Sequence, residues 1–282
     1  MSLVSTTSPP MSLDAIMAGH PWAPRLIPFV VYVGLLAVVD VIRGWHGSIY
    51  PLAYVVQCGL VVWLLWRYRR LVPELTLSFH WLAVPVGVGV AAAWIWLRFW
   101  TVGAFPGLAV ESDSFFDQMG MGWGWLALSL RLVGMSVVVP LFEELCMRSL
   151  MLRSLHSLRK TVIGATQFLQ DVPVIGEPLM LTRWGEQASQ QPPIFRHEFE
   201  AHALGRLSVF GVFASTLVFT VHHLPADWLG CVACSLAYCF LLAWTRSRGL
   251  GPTCWAHGIT NALLWGYTVY MHQAGTPDWQ FL

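Results

Sequence analysis

Charged residues are scarce in this sequence. They make up 11% of its 282 residues, while 56% are hydrophobic. A soluble domain usually carries about 25% charged residues, so too little charge is present to cover the surface of a soluble globule of this size. The formal net charge of +1 gives no basic surface for nucleic acid, and we predict no nucleic-acid partner.

Signals for disulfide frameworks and for common zinc motifs are weak. Six cysteines are present, and Cys231 and Cys234 form a C-x-x-C without a second pair at zinc-ribbon spacing. We interpret the cysteines as small apolar residues of helices. The chain also lacks an H-E-x-x-H motif and any evident internal repeat. Its first residues, 1–24, are polar and proline-rich and lack the pattern of a removable signal peptide.

Long apolar runs recur along the chain. A membrane-spanning helix needs roughly 20 mostly apolar residues, so the runs predict an all-α, polytopic transmembrane helix bundle with about seven or eight spans. The 16 tryptophans fit this class, because indole rings favour the membrane interface. The predicted spans are Leu26–Ile42, Ile49–Trp66, Trp81–Leu97, Gly124–Leu141, Leu207–His223, Trp228–Trp244 and Thr253–Met271.

The distribution of polar residues divides the chain into three parts. We expect a polar tail at 1–24, N-terminal transmembrane helices at 25–123 and a C-terminal helical core at 124–282. The core includes a polar segment at about 160–206, which we predict to be a loop or a small cap. With a cytoplasmic N-terminus, most lysines and arginines fall on the cytoplasmic side. The sequence therefore predicts an integral membrane protein in that orientation.

The first cluster of ionisable residues is EELCMR, Glu143 to Arg148. Ionisable groups near the membrane interior are costly and are candidates for function. In a helix, Glu144 and Arg148 are four residues apart and can pair. Glu143 then points elsewhere without an obvious cation, and a carboxylate in such a low-dielectric place suits a general base or acid. The alternative is an interfacial ion pair that ends a span.

Two further clusters lie in later apolar runs. In FTVHH, Phe219 and His223 share a helix face, whereas a continued helix would turn His222 about 100° away. In HGITN, His257 and Asn261 share a face and can both donate hydrogen bonds. The alternatives are two interfacial histidines in the first case and polar residues that join helices in the second.

The three clusters together resemble a known family. E-E-x-x-x-R, F-x-x-x-H and H-x-x-x-N, in this order on membrane helices, resemble the CPBP family of membrane proteins, which includes the CAAX endopeptidases that trim prenylated proteins. The resemblance covers roughly residues 124–270. It implies an intramembrane endopeptidase that cleaves a membrane-associated, prenylated or C-terminally tagged protein.

The resemblance also implies a role for each matching residue. A carboxylate and an imidazole would activate a water, a second imidazole and an amide would hold the oxyanion, and three further side chains would support the site. The catalytic residues would be Glu143 and His223 for the water and His257 and Asn261 for the oxyanion, supported by Glu144, Arg148 and Phe219. We expect the four catalytic side chains to meet within about 10 Å of one another, and His222 to stay outside.

A narrower resemblance concerns the tryptophan-rich character, the stretch TRSRGLGPTCWAHGITNALLW and the closing DWQF. These features are similar to a bacterial CAAX-protease-related branch that is associated with exosortase and PEP-CTERM sorting systems. The similarity implies a place in the bacterial inner membrane, with exosortase-system proteins as partners.

Metal use and two other functions stay open from the sequence. Glu143, His223 and His257 could also ligate zinc, but without an H-E-x-x-H motif we favour a metal-free water activated by glutamate. A non-catalytic scaffold or immunity protein could keep the fold and use the polar groups structurally. A proton-coupled transporter could use buried glutamate and histidine as a relay, but it would predict pseudo-repeated halves. The complete motif set favours the peptidase.

Overall fold

The computed structural model describes residues 12–45, 47–108 and 115–273, and in these residues the protein is helical and has no strands. The closing DWQF lies outside the described residues. The helices are α1 (Leu13–Gly19), α2 (Ala23–Trp45), α3 (Tyr50–Arg67), α4 (Ala83–Ala104), α5 (Met119–Ser154), α6 (Leu158–Gln170), α7 (Gly176–Met180), α8 (Arg183–Ser189), α9 (Ile194–Ala201), α10 (Val209–Val221), α11 (Trp228–Thr245) and α12 (Gly251–Gln273).

The polytopic helix bundle predicted from the apolar runs is confirmed. In the described part of the chain, five segments are long and apolar enough to cross a membrane: Ala23–Ile42, Tyr50–Arg67, Ala83–Ala104, Met119–Ser154 and Pro225–Arg248. The other two predicted spans are also helices, but α10 has only 13 residues. Glycine, threonine, histidine and asparagine lower the hydropathy of α12. The two exceptions are thus the helices of the histidine motifs.

The longest helix, α5, carries the EELCMR motif. Its 36 residues exceed the roughly 20 that a span needs, so Glu143 lies well inside the helix rather than at its end. The segments Gly134–Val138 and Leu145–Met151 are π-helical, and such widened turns are frequent at functional sites. Pro140 lies between them and cannot donate to the carbonyl four residues earlier. The motif therefore sits in an irregular stretch of a continuous helix.

Close helix packing brings α12 against α4 and α5. A Cβ atom added at Gly258 on α12 would overlap the carbonyl oxygen of Ser136 on α5. A Cβ added at Gly87 on α4 would lie 2.6 Å from the carbonyl oxygen of Ala256. Only glycine permits backbones to approach this closely. The HGITN motif is thus held in the centre of the bundle.

The polar segment at 160–206 folds as a cap of short helices, α6 to α9, instead of an irregular loop. Arg153, near the end of α5, donates to the carbonyl oxygens of Phe199 and His202 at 2.9 and 2.7 Å. Its guanidinium group also lies 3.7 Å from the centre of the Phe199 ring. These contacts attach α9 to the end of the helix that carries Glu143.

A buried ion pair joins the start of α2 to the loop before α4. Arg25 Nε lies 2.6 Å from Glu74 Oε1, and the two side chains are 6% and 9% exposed. Burial raises the pKa of the Glu74 carboxyl, but the hydrogen bonds and charge of Arg25 more than offset this, so the pKa lies below its ordinary value. Glu74 is therefore ionised at neutral pH and ties these segments together.

Candidate active site

The Glu143 carboxylate lies between two imidazole rings. Its Oε1 is 3.7 Å from His222 Nε2, and its Oε2 is 3.7 Å from His257 Nε2. The Glu143 side chain is only 10% exposed. These contacts bring residues from α5, from the end of α10 and from α12 to one place, as the motif order predicted for a shared site.

The prediction that His222 stays outside the site is wrong. The helix α10 ends at Val221, so the 100° step of a continued helix no longer applies at His222. Its Nδ1 lies 2.9 Å from the carbonyl oxygen of Val218, and this contact turns Nε2 toward Glu143. The expectation that Glu143 has no nearby basic group is wrong for the same reason.

His223 lies beside this cluster rather than facing lipid. Its Nδ1 is 2.7 Å from the carbonyl oxygen of Phe219, and its ring is half-buried. The ring centroid lies 4.3 Å from that of His222, 4.7 Å from that of Phe219 and 5.8 Å from that of Trp94. Both histidines of the FTVHH motif are therefore close to the site, and His222 is the one that contacts Glu143.

A buried carboxylate orients His257. Glu144 Oε1 lies 3.0 Å from His257 Nδ1, and a neighbouring carboxylate of this kind fixes the tautomer and direction of an imidazole. With Nδ1 occupied, His257 Nε2 is the atom that faces Glu143. The two adjacent glutamates thus have different positions: Glu144 is fully buried behind the ring, and Glu143 lies in front of it.

The predicted pair of Glu144 and Arg148 is confirmed, with Arg148 Nε 3.5 Å from Glu144 Oε2 and both side chains fully buried. This is a charge contact without hydrogen-bond geometry at either atom. The guanidinium group also lies 5.4 Å from the centre of the Phe219 ring and 5.9 Å from that of Tyr238. Arg148 therefore supports the site from behind through charge and ring contacts.

Asn261 lies one turn beyond His257 on α12. Its Nδ2 donates to the carbonyl oxygen of Met135 at 2.8 Å, in the first π-helical segment of α5. The amide therefore joins α12 to α5 through one N–H, and its second N–H is not used by this bond. The role of Asn261 at an oxyanion stays a prediction.

The distances from Glu143 to His222 and His257 suit a bridging water rather than direct hydrogen bonds. A distance of 3.7 Å is too long for a direct hydrogen bond, and a water molecule commonly bridges polar atoms across such a gap. A bridging water could donate one proton to the carboxylate and the other to a neutral imidazole. The geometry therefore suits activation of water by a general base.

The fit to zinc is poorer at this site than elsewhere in the protein. Zinc ligands lie about 2.0–2.2 Å from the metal, so their ligand atoms must cluster tightly. Among the described residues, the one group of three His, Cys, Asp or Glu ligand atoms within 4.8 Å of one another is in the cap. Glu143, His223 and His257 would have to move together to hold zinc, and their use as ligands stays a prediction.

The comparison with known families supports the motif-based resemblance. Residues 192–263 match the family model described as type II CAAX prenyl endopeptidase Rce1-like. The matched segment contains the FTVHH and HGITN motifs, whereas EELCMR precedes it. No curated protein and no solved structure matches the chain.

These findings do not bear on the exosortase-associated branch, which stays a prediction together with its partner proteins and its inner-membrane location. The apolar helices and the family match agree on an integral membrane protein. Residues 192–263 are thus similar to the Rce1-like family, and this match confirms the resemblance to the CPBP family of CAAX endopeptidases.

Proposed function

We propose that the protein is an intramembrane endopeptidase that hydrolyses a peptide bond of a membrane-associated protein carrying a prenyl group or another C-terminal tag. The observation that carries this proposal is the Glu143 carboxylate, buried between His222 and His257 at 3.7 Å from each. The Rce1-like match supports the class of reaction.

In the proposed reaction, a water bound beside Glu143 loses a proton to the carboxylate while its oxygen attacks the scissile carbonyl carbon. An imidazole of the His222–His223 pair accepts the second hydrogen bond of this water. The carbonyl oxygen becomes an oxyanion, and the proton held by Glu143 then passes to the leaving nitrogen as the carbon–nitrogen bond breaks. The products are a new carboxyl group, which keeps the second proton of the water, and a new amine.

The oxyanion is stabilised in this proposal by His257 and Asn261. In the protonated form of His257, Nδ1–H donates to Glu144 Oε1, 3.0 Å away, and Nε2–H can donate to the developing charge. A fixed donor of this kind contributes roughly 3–4 kcal/mol to an oxyanion transition state. The two glutamates thus have different roles: Glu143 accepts the proton of the water, and Glu144 positions His257 as the donor to the oxyanion.

Peptide hydrolysis by protein in lipid nanodiscs tests the proposal. The substrates are a fluorogenic peptide ending in a C-a-a-X sequence with a farnesylated cysteine, and the same peptide without the farnesyl group. We expect wild-type protein to cleave the farnesylated peptide faster and, in water enriched in oxygen-18, to place the label in the new carboxyl group. Cleavage that persists in a folded Glu143→Gln variant contradicts the mechanism. A wild type that cleaves neither peptide favours the non-catalytic scaffold.

A further inference from the structure

A cluster of potential metal ligands lies in the cap, away from Glu143. His156 follows the end of α5, Glu198 lies in α9, and His202 follows α9. Their ligand atoms all lie within 4.8 Å of one another. The side chain of Glu198 is 1% exposed, and those of His156 and His202 are 13% and 21% exposed. Three side chains of the types that bind zinc thus meet in a largely buried place.

The ligand atoms approach one another without bonding. Glu198 Oε2 is 3.0 Å from His156 Nε2 and 3.9 Å from His202 Nδ1, yet neither Oε2 nor His202 Nδ1 has a hydrogen-bond partner among the described residues. Buried polar atoms are normally paired, and an orphan calls for an explanation such as an ion. Ligands around a tetrahedral zinc are separated by roughly 3.3 Å, given metal–ligand distances of about 2.0–2.2 Å. The two distances bracket this value.

The side chains next to Glu198 contact only one of its two carboxylate oxygens, which leaves the other available to a metal ion. Lys160 Nζ lies 2.6 Å from Glu198 Oε1, and His197 Nδ1 lies 3.1 Å from the same oxygen. Both partners are substantially exposed, at 44% and 58%. They contact Oε1 and leave Oε2 facing the two other ligands. The rings of His156 and His202 are stacked with centroids 3.6 Å apart, so both imidazoles lie on the same side of the carboxylate.

We infer that His156, Glu198 and His202 bind a divalent transition-metal cation of the zinc class, with a fourth position open to water. Two imidazoles and one carboxylate form a familiar ligand set for this ion. The ligands come from both sides of the contact between α5 and α9. A bound cation would therefore fasten the cap to the end of the helix that carries Glu143, independently of the proposed peptidase reaction.

Zinc binding to the full-length protein tests this inference. The protein is purified in detergent without a polyhistidine tag, stripped with a chelator and titrated with Zn²⁺ alone. Bound metal is counted by elemental analysis, and the visible spectrum after Co²⁺ substitution reports the coordination geometry. We expect one ion per chain, a tetrahedral cobalt spectrum and a melting temperature that rises with zinc.

Substitutions assign the ligands. His202→Ala and Glu198→Gln should weaken zinc binding by at least about tenfold, and melting of the metal-free variants checks that they fold. His197→Ala is the matched control, because His197 adjoins Glu198 but contacts the other oxygen, and it should bind zinc as the wild type does. Lys160→Gln should bind zinc more tightly, since it removes a positive charge next to the carboxylate.

Three results would overturn the inference. One is wild-type protein that binds no zinc at all, and another is equal binding by wild type and His202→Ala. The third is loss of the ion in a His257→Ala variant but not in His202→Ala, which would place the metal at Glu143 instead. Because these readouts are binding and stability, they stand whether or not the protein cleaves a peptide.

Discussion

The two adjacent glutamates give the sharpest test of the site. The structure predicts that the same substitution lowers turnover at Glu143 and lowers folding stability at Glu144. Glu143 makes contacts of 3.7 Å that are too long to be hydrogen bonds, so Glu143→Gln should change folding stability little. It removes the base, and loss of general-base catalysis costs about 10²–10⁴-fold in rate. We therefore expect a protein that melts like the wild type and turns over at least about a hundredfold more slowly.

Glu144→Gln should act mainly on stability. Its carboxylate and Arg148 are both fully buried and lie 3.5 Å apart, and neutralising one partner leaves a buried charge without compensation. Breaking such a pair costs about 3–5 kcal/mol. Glutamine keeps an acceptor for His257, so the lower end, about 3 kcal/mol, is expected. For a protein of this size, that corresponds to a melting temperature lower by roughly 6–12 °C.

The assay compares turnover of the farnesylated peptide with melting followed by intrinsic fluorescence, to which the 16 tryptophans contribute. Glu186→Gln, a change at an exposed carboxylate of the cap, is the control and should alter neither quantity. Normal turnover by Glu143→Gln would refute its role as the base. A wild-type melting temperature in Glu144→Gln would refute the argument from its pair with Arg148.

Three further predictions concern packing, pH and metal. Gly258→Ala should cut activity at least about tenfold, because its Cβ would overlap a carbonyl oxygen of α5 and small displacements of catalytic groups are costly. The same change at Gly266, which has open space, should be tolerated. The carboxyl pKa of Glu74 is lowered in the folded protein, so its stabilising contact with Arg25 is complete above the unfolded pKa of about 4.3. This contribution should be lost as pH falls through the lower folded pKa. Chelation of a His202→Ala variant should leave peptidase activity intact, because the proposed water activation uses no metal.

Each of these predictions has a contrary result. Equal activity of the two glycine variants would show that the close approach of α12 to α5 does not position the site. Melting curves of wild type and Glu74→Gln that fall in parallel between pH 5 and 3 would show that this carboxylate does not contribute to acid unfolding. Activity lost on chelation and restored by zinc would identify Glu143, His223 and His257 as metal ligands.

The fold was largely predictable because apolar run length is a local property. Each predicted span corresponds to a helix. Most ends are displaced by a few residues, but α5 continues well past the predicted Leu141, to Ser154. The pair of Glu144 and Arg148 was predictable for the same reason, since a helix fixes the relation of residues four apart. The cap was harder, because its helices are short and polar and derive their order from contacts such as that of Arg153 with Phe199. No local pattern indicates such a partner.

The depth of the site could not be predicted from alternating spans. Seven spans that simply alternate in direction from a cytoplasmic N-terminus would place Glu143 toward the cytoplasmic face of the membrane and His223 toward the outer face. The structure removes this conflict, because α5 continues to Ser154 while α10 ends after only 13 residues. Glu143 thus lies within a long helix, and the end of the short helix reaches it.

The E-x-x-x-H spacing of Glu198 and His202 was visible in the sequence, but the third residue of the proposed metal site, His156, is distant along the chain.

The motif and the structure differ on which histidine accepts a hydrogen bond from the water beside Glu143. One experiment distinguishes the two assignments. The family pattern assigns His223, whereas His222 Nε2 is the atom 3.7 Å from Glu143. The contact of His222 Nδ1 with the Val218 carbonyl oxygen at 2.9 Å places the proton on Nδ1 and leaves Nε2 as an acceptor. A water that donates to both Glu143 and an imidazole needs this tautomer. His223 has the same tautomer, because its Nδ1 lies 2.7 Å from the carbonyl oxygen of Phe219, so the contact with Glu143 is what distinguishes His222. We therefore expect His222→Gln to slow turnover about a hundredfold or more and His223→Gln to slow it less, with both variants melting near the wild type. The reverse order would place His223 at the water and show that the end of α10 turns differently when substrate is bound.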